Sequence, residues 1–353
     1  MSTSPEIVEP TVLARIEGAV GRLTLNRPRA INALDLPMIG LIDEALDAWE
    51  HDPAVTVVVL DGAGERGLCA GGDVRSLYDE VVAGRPGDTA AFFLAEYRLN
   101  ARLAEYPKPI VTLADGITMG GGIGLASHAA IRVVTERSKL AMPETRIGFT
   151  PDVGGTWLLG RAPGHLGEYL GVTGTTMDAA DAVYAGFADH LVPSDRLDEL
   201  RAALAGGGDA SAIVAELAIA PGVSRLEAAR AWVDETFSAD TLGEVAERLR
   251  ARAEPAASTA LDLMGELAPT GMAVTFEAVR RARDLRDLRA DLAQEYGLVM
   301  WFAHTQPDLV EGIRAQLVDK TRDPHWNPAA LADVDRATIE AAFASVPALP
   351  LWE

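Results

Sequence analysis

The chain has 353 residues, 48% of them hydrophobic, which is enough for a large buried core. Its formal net charge of −21 disfavours nucleic acid as a partner, because binding to phosphates needs clustered cations. The single cysteine, Cys69, excludes an intrachain disulfide. The six scattered histidines include no i, i+4 pair, so the sequence predicts no metal site.

The first thirteen residues, MSTSPEIVEPTVL, contain neither the apolar segment of a signal peptide nor the arginines of a transit peptide. No apolar run along the chain is long enough to cross a bilayer. We therefore expect a soluble, cytoplasmic protein that does not associate with a membrane.

The first half of the chain alternates strand and helix patterns. A hairpin is predicted from VLARIEG and VGRLTLN, and a buried strand from the β-branched run AVTVVVLDG. Between them, LPMIGLIDEALDAWEHD has the apolar spacing of an amphipathic helix, at Met38, Ile39, Ile42, Leu46 and Trp49. Four further elements follow: a helix around Ala90 to Glu105, a strand Ile110 to Ala114, a helix after Gly122 and a strand Ala130 to Thr135. This alternation predicts an α/β core with crossover connections.

The pattern changes near residue 195. From there to about Lys320 the sequence is rich in Ala, Leu, Glu and Arg at helical spacing, and Gly206 to Ala210 is predicted to be a flexible connection. The tail WNPAALADV predicts a helix that starts at its proline, Pro328. We therefore predict two parts, an α/β core over 1–195 and a helical C-terminal region over 196–353 that covers the core.

The most informative stretch runs from Asp115 to Gly155. Three consecutive glycines, 120–122, lie between the strand-like IVTLAD and the helix-compatible GLASHA, where backbone N–H groups are open to a ligand. Such donors can hold an anion, including one that forms only during a reaction. Glu144 and Asp152 follow in a loop rich in proline and glycine. Paired acids beside an anion-binding turn indicate carbonyl chemistry.

Several long motifs resemble the crotonase, or enoyl-CoA hydratase/isomerase, superfamily. They are NRPRAINAL at 26–34, GLCAGGDVRSL at 67–77, DGITMGGGIGL at 115–125 and PETRIGFTPDVGG at 143–155. Within it, FFLAEYRLN at 92–100 and EGIRAQLVDKTRDPHWNPAAL at 311–331 are most similar to the 3-hydroxyisobutyryl-CoA hydrolases. The resemblance spans nearly the whole chain and is weakest between about residues 200 and 260.

The resemblance implies a crotonase-like spiral of ββα units with a helical C-terminal region. It also implies an acyl-CoA ligand whose thioester carbonyl lies between the backbone N–H groups of Gly72 and Gly121, the oxyanion hole. Negative charge develops on that oxygen when a nucleophile adds. Loss of one such donor typically costs about 3 kcal/mol of transition-state stabilisation.

The sequence departs from the hydratase pattern at two positions. Hydratases carry a catalytic glutamate two residues after the glycine triplet, and here that position is Gly124. The second family glutamate is retained as Glu144, and an additional acid, Asp152, stands where hydratases have a small residue. This set favours hydrolysis. Glu144 is expected to act as a general base or as a nucleophile, with Asp152 orienting it or the water.

The resemblance also assigns substrate contacts. Glu96 matches a glutamate used for substrate binding and is expected to contact the hydroxyl of the acyl chain, alongside Gly121, Glu144 and Asp152. Four residues are expected to contact coenzyme A: Arg29, Ala70, Asp73 and Lys320. Lys320 is expected to do so from a C-terminal helix that closes over the adenine end.

The predicted function is therefore hydrolysis of a short 3-hydroxyacyl-CoA thioester, with 3-hydroxyisobutyryl-CoA in valine breakdown as the leading substrate. The alternatives are an enoyl-CoA hydratase or isomerase and a non-catalytic acyl-CoA-binding homologue. No cofactor is expected, since coenzyme A is part of the substrate. A homo-oligomer, trimer or hexamer, is the expected assembly.

Overall fold

A computed structural model describes residues 9–352. The prediction that the N-terminal segment is no targeting peptide concerns residues 1–8 in part, and these lie outside the described residues. The strands are β1 Val12–Glu17, β2 Val20–Leu25, β3 Val57–Gly62, β4 Ile110–Ala114, β5 Ile117–Met119, β6 Ile131–Val134, β7 Lys139–Ala141 and β8 His190–Leu191.

The α-helices of the first part are α1 Leu36–Glu50, α2 Val74–Val82, α3 Pro86–Glu105, α4 Gly121–Ala126, α5 Gly155–Arg161, α6 Leu166–Thr173 and α7 Ala179–Tyr184. Those of the second part are α8 Leu197–Ala205, α9 Ala210–Leu217, α10 Arg225–Phe237, α11 Leu242–Arg250, α12 Pro255–Glu266, α13 Pro269–Ala282, α14 Leu288–Thr305, α15 Pro307–Ile313 and α16 Arg336–Ala344. No helix among these described elements is long and apolar enough to cross a membrane.

The larger sheet has the strand order β1-β2-β3-β4-β6-β8. β1 and β2 form the predicted antiparallel hairpin, and the strands from β2 onward run parallel. Alternate residues of β3 enter two different hydrophobic clusters, Val58 and Leu60 on one face and Val57 and Val59 on the other. Both faces are therefore covered, as the continuous β-branched run predicts.

A second, two-stranded parallel sheet, β5-β7, follows the main sheet, and the sequence analysis did not anticipate it. An isolated bridge between Cys69 and Thr118 ties the loop after β3 to β5. Because the carboxyl ends of parallel strands lie at one edge of a sheet, the segments after β3 and β4 meet there. Those segments carry Gly72 and Gly121.

From α8 to α15 the described chain is mostly helical, as predicted. Helix α13 packs on α5 and α6, and α14 packs on α3 and α5, so the second part contacts the elements that carry the motifs of the first. One hydrophobic cluster contains side chains from both parts, from Leu23 in β2 to Phe302 in α14. The division of the chain between residues 195 and 196 stays a prediction.

The C-terminal tail differs from the prediction. Pro328 does not start a helix. The last helix, α16, begins after Asp335, whose side chain accepts a hydrogen bond from the Thr338 amide. An aspartate N-cap thus sets this boundary, and Pro328 lies in a bend before the short 3₁₀ segment Leu331–Asp333. The connection at Gly206 to Gly208 does join two helices, as expected, and Asp209 caps the second.

Candidate active site

The segments that carry the motifs converge on one cavity of about 190 Å³. Its walls come from the loop after β3, α2, α3, the start of α4, the turn at Glu144 and the loop before α5. Four acids line it, Asp73, Glu96, Glu144 and Asp152, and no lysine, arginine or histidine of the described chain does. The cavity therefore combines carboxyl groups with apolar walls, of which Phe92, Phe93 and Phe149 are the aromatic part.

The backbone amides of Gly72 and Gly121 are both free to bind a ligand. Within residues 9–352, neither donates to a protein acceptor. Gly121 is the first residue of α4, where the amides have no intrahelical partner. The two loops touch, since a β-carbon added to Gly121 would lie 3.1 Å from the Gly72 nitrogen. Gly120 turns the chain into α4 with φ 49° and ψ −121°, a conformation open only to glycine.

Glu144 begins the short 3₁₀ segment Glu144–Ile147, directly after Pro143. Its side chain is buried, and its Oε1 lies 2.9 Å from where a β-carbon on Gly120 would stand. Its Oε2 has no hydrogen-bond partner in the described chain. Burial, and then the negative charge of Asp152, raise the pKa of Glu144 well above its usual value. A carboxylate with a raised pKa is a stronger base and nucleophile.

Asp152 is anchored by Tyr97, whose hydroxyl donates to Oδ2 at 2.9 Å. Burial raises the pKa of Asp152 to about 7, and the hydrogen bond from Tyr97 opposes the rise. Sequence reasoning missed Tyr97 as part of the site. The available signal was its place beside Glu96 on α3, in the motif FFLAEYRLN.

Three side chains, His128, Asp291 and Glu295, hold the loop that carries Asp152, and we call them the clamp. Val153 and Gly154 both have left-handed φ values, 55° and 75°. For a β-branched residue this conformation is strained. Glu295 of α14 accepts from the Gly154 amide at 2.6 Å and from the Thr156 amide at 2.7 Å. On the other side, His128 Nε2 lies 2.8 Å from the Val153 carbonyl oxygen. The clamp fixes the backbone on the C-terminal side of Asp152.

Asp291, one helical turn before Glu295, completes the clamp. It accepts from the Trp157 amide at 2.9 Å and from the Thr156 hydroxyl at 3.0 Å. Both acids are fully buried. Sequence reasoning missed them, because two acids at i, i+4 on a helix look like a solvated face. The sequence held no signal for their burial.

The position of the missing hydratase glutamate is closed by packing. A β-carbon placed on Gly124 would lie 2.7 Å from Asn100 Nδ2 and 2.7 Å from Val153 Cβ. Contacts this short do not occur for real side chains, so no side chain fits there without displacing its neighbours. The strained Val153 fills the space that a second catalytic acid would need.

Glu96 lies on α3 and is buried. Its Oε1 lies 2.6 Å from where a β-carbon on Gly121 would stand, and it has no hydrogen-bond partner among the described residues. The structure therefore brings together Gly72, Glu96, Gly121, Glu144 and Asp152, the carbonyl-facing set predicted from the sequence.

The residues expected to contact coenzyme A fall into two groups. Ala70 and Asp73 line the cavity, and Asp73 accepts a hydrogen bond from Arg27 at 3.1 Å. Arg29 and Lys320 are exposed and do not line the described cavity. The placement of Lys320 in a helix was wrong. The helical run of α15 ends in the π-helical segment Arg314–Val318, and Lys320 follows with a left-handed φ of 57°.

Comparison with known proteins identifies the family. The model of the family described as enoyl-CoA hydratase/isomerase matches residues 20–343. The chain belongs to the enoyl-CoA hydratase/isomerase family. The chain is 37% identical over 344 residues to a Gallus gallus protein named 3-hydroxyisobutyryl-CoA hydrolase, mitochondrial, with 94% of this chain and 88% of the relative covered. It is 36% identical to 3-hydroxyisobutyryl-CoA hydrolase 1 of Arabidopsis thaliana, covering 95% of this chain and 92% of the relative.

Solved structures of the same family confirm the predicted crotonase fold with a mostly helical C-terminal region. A carnitinyl-CoA dehydratase from Mycobacterium thermoresistibile superposes with a TM-score of 0.93 at 48% identity, covering 97% of this chain and 98% of that chain. An enoyl-CoA hydratase from Rhodobacter sphaeroides 2.4.1 gives a TM-score of 0.89 at 42% identity, covering 96% and 98%. These two names describe a dehydratase and a hydratase, whereas the sequence relatives are named hydrolases.

Proposed function

We propose that this protein hydrolyses a short 3-hydroxyacyl-CoA thioester, with 3-hydroxyisobutyryl-CoA as the leading substrate and 3-hydroxyisobutyrate and free coenzyme A as products. Two kinds of support converge on this activity. The sequence relatives that carry the name of this hydrolase match over nearly the full chain. The cavity holds the groups that such a reaction needs, and the position of the hydratase's second acid is closed.

The observation that carries the proposal is the packing at Gly124. Adding water across a carbon–carbon double bond in the hydratase manner uses two glutamates. Here Asn100 and Val153 occupy the space for one of them. Glu144 therefore works with a different second acid, Asp152, which comes from another loop and accepts from Tyr97. This arrangement favours attack on the thioester carbonyl over attack on an alkene.

In the proposed reaction the thioester oxygen lies between the Gly72 and Gly121 amides. Glu144 either removes a proton from water as the water adds to the carbonyl carbon, or adds to that carbon itself. The carbon–sulfur bond then breaks and the thiolate leaves with the electron pair, taking up a proton from solvent. In the second route the product is a mixed anhydride, which water opens to the free acid and Glu144. In both routes the two amides stabilise the developing oxyanion.

A substrate comparison tests the activity. The purified protein is incubated with 3-hydroxyisobutyryl-CoA and, separately, with crotonyl-CoA, and free thiol and loss of the conjugated double bond are followed. We expect thiol release from the first compound and no change in the second. Loss of the double bond without thiol release would instead establish a hydratase, the activity for which the Rhodobacter sphaeroides protein is named.

A single-turnover experiment in heavy-oxygen water separates the two routes for Glu144. If Glu144 is the nucleophile, opening of the anhydride at the protein carbonyl leaves label in the Glu144 peptide. If Glu144 is the base, label enters only the released acid. Mass spectrometry of the peptide detects the first outcome, and label in Glu144 would establish the nucleophilic route.

The broader setting belongs to the same proposal. We place the reaction in valine breakdown and the protein in the cytoplasm, as a homo-oligomer, trimer or hexamer, without a cofactor. Fractionation of the native host and light scattering of the purified protein test location and assembly. Loss of growth on valine after deletion of the gene tests the pathway.

A further inference from the structure

The loop 67–73, which carries the Gly72 amide, lies outside the named helices and strands and needs support from another segment. Gly71, directly before Gly72, has a left-handed φ of 113°. An N–H group stabilises a developing oxyanion best when its direction is fixed before the reaction, because reorienting it costs part of the stabilisation that it supplies. The other proposed donor, Gly121, is held as the first residue of α4.

The segment 27–34 lies along this loop and is paired with it on both sides of Gly72. The Leu34 amide donates to the Gly71 carbonyl oxygen at 2.9 Å, and the Asp73 amide donates to the Leu34 carbonyl oxygen at 2.8 Å. Leu34 and Gly72 are thereby partners in a parallel bridge. The groups on either side of Gly72 are therefore held. Within the described chain, the Gly72 amide itself takes no part in this pairing and is left for a ligand.

Asn32, near the end of that segment, is completely buried and bonds to the start of the loop. Its Nδ2 lies 3.2 Å from the Gly67 carbonyl oxygen, 3.1 Å from that of Leu68 and 3.1 Å from that of Ala63. Since the amide group has two N–H bonds, the three oxygens share them. Its Oδ1 accepts from the Arg27 amide at 2.9 Å, which closes the segment on itself. One side chain therefore links the segment to the beginning of the loop.

The backbone of the segment is strained at this point. Ile31 and Asn32 both have left-handed φ values, 49° and 54°. Asparagine tolerates this conformation, whereas for the β-branched Ile31 it is costly. Strained residues persist only where their surroundings hold them, and they concentrate at functional sites. The clamp holds the strained Val153 beside Asp152, so the two loops share this form of support.

We propose that Asn32 is a positioning residue, which fixes the direction of the Gly72 amide and so stabilises the oxyanion without touching the substrate. This proposal rests on the proposed function, since it names what holds one of the two donors of that site. Asn32 is not among the residues that line the cavity. Its effect reaches the substrate through Leu34, which follows the strained turn and pairs around Gly72. Loss of the side chain should therefore weaken transition-state stabilisation more than substrate binding.

Asn32→Gly separates the hydrogen bonds from the backbone conformation, because glycine adopts a left-handed φ without strain. We expect kcat for 3-hydroxyisobutyryl-CoA to fall about 30-fold, less than for the loss of a whole donor, because the Gly72 amide is displaced and still present. KM should stay within about threefold of the value for the unmodified protein. Asn32→Ser keeps a hydroxyl that can donate and accept, and it should lower kcat by less. If the glycine variant does not fold, the serine variant carries the same comparison.

The infrared C=O stretch of a bound ligand reports the donors directly. The probe is an analogue of isobutyryl-CoA in which a CH₂ group replaces the thioester sulfur and the carbonyl carbon is ¹³C, so that it cannot be hydrolysed. Bound to the unmodified protein, its C=O band should lie at lower frequency than in water, because two fixed amides polarise the carbonyl. In Asn32→Gly the band should move back towards its position in water.

Ser138→Ala is the matched control. The Ser138 hydroxyl is buried, donates to the Ala114 carbonyl oxygen at 2.6 Å and accepts from the Thr135 amide at 2.7 Å, in a turn that does not line the cavity. Its removal should lower the free energy of unfolding, measured in urea, and leave kcat and the C=O band unchanged.

Two results would overturn the inference. One is an Asn32 variant that loses stability in urea but keeps its kcat, since Asn32 would then have a purely structural role. The other is a C=O band that stays in place even if kcat falls, because the loss would then arise elsewhere. If the unmodified protein releases no thiol, the proposed function is disproved, while the band still shows whether Asn32 sets the direction of the Gly72 donor.

Discussion

The structure buries two groups of acids that differ in how their oxygens are used. The clamp acids, Asp291 and Glu295, accept hydrogen bonds from the Gly154, Thr156 and Trp157 amides and the Thr156 hydroxyl. Among the cavity acids, Asp152 accepts from the Tyr97 hydroxyl, whereas Glu96 Oε1 and Glu144 Oε2 have no hydrogen-bond partner among the described residues. Both groups are buried. The fold supplies hydrogen-bond donors to both side-chain oxygens of each clamp acid.

The contrast separates a structural role from a chemical one. A buried carboxyl group whose oxygens accept several amides holds the backbone in place, and the hydrogen bonds oppose the effect of burial, which still raises the pKa of Asp291 to about 6. A buried carboxyl group with an unused oxygen destabilises the fold, and such groups are typical of functional sites. The clamp thus supplies the rigidity, and the cavity acids keep the oxygen atoms that can bind and attack a substrate.

The largest expected effect is on turnover by Glu144→Gln. An amide is neither a useful base nor a nucleophile, so kcat should fall by about 10³-fold or more. The free energy of unfolding should stay the same or increase at neutral pH, because a buried charge is removed. Thiol release and urea unfolding measure the two quantities. Unchanged turnover would show that Glu144 does not catalyse the reaction, and thiol release no faster than without protein would favour the alternative of a non-catalytic acyl-CoA-binding protein.

Asp152→Asn should change the pH dependence of stability. The pKa of Asp152 is about 7 in the folded protein and about 3.9 when unfolded, so the folded state holds the proton more tightly. The stability that this proton provides is present below about pH 4 and is lost as the pH rises to about 7. The asparagine variant does not titrate.

The stability of Asp152→Asn relative to the unmodified protein should therefore grow between pH 4 and 7, by up to about 4 kcal/mol. Urea unfolding at pH 4, 5.5 and 8 measures the gap. A gap that stays constant with pH would show that burial does not raise the pKa of Asp152.

Glu295→Gln tests the other side of the contrast. Only one of the two side-chain atoms of glutamine can accept, so its amide N–H group must face a backbone N–H. We expect a loss of about 3 kcal/mol in the free energy of unfolding, measured in urea. Glu340→Gln is the control, because Glu340 is 61% exposed in its pair with Arg336 and should change stability by less than about 0.5 kcal/mol. Equal losses in the two variants would contradict the clamp.

The cavity acids could be predicted from the sequence, whereas the clamp acids could not. Gly72, Gly121, Glu144 and Asp152 stand in motifs with strong turn residues, and family resemblance fixed their order. The sequence also showed that position 124 lacks an acid. It could not show why no acid fits there, because Asn100 and Val153 reach the position from distant segments.

The elements of the fold also fall into those that local sequence patterns predict and those that depend on distant contacts. Local sequence patterns predicted β1 to β4 and α1 closely, because the continuous apolar runs of β3 and β4 and the helical apolar spacing of α1 are each visible within a few residues. The short strands Ile117–Met119 and Lys139–Ala141 have three residues each and are held by pairing with each other, which no local pattern encodes. The burial of Asp291 and Glu295 depends on how α14 packs on α5, a contact between segments more than 130 residues apart.

The smallest expected effect concerns Tyr97→Phe. Its hydroxyl stabilises the charged form of Asp152, so removing it should raise the pKa of Asp152 further and move the acid limb of the kcat/KM profile up by about one pH unit. Tyr296→Phe is the matched control, since the Tyr296 ring packs against Tyr97 and its hydroxyl has no hydrogen-bond partner in the described chain. The control should leave the limb in place. If both variants moved it equally, the effect would come from ring packing, and the hydrogen bond would have no part in setting the charge of Asp152.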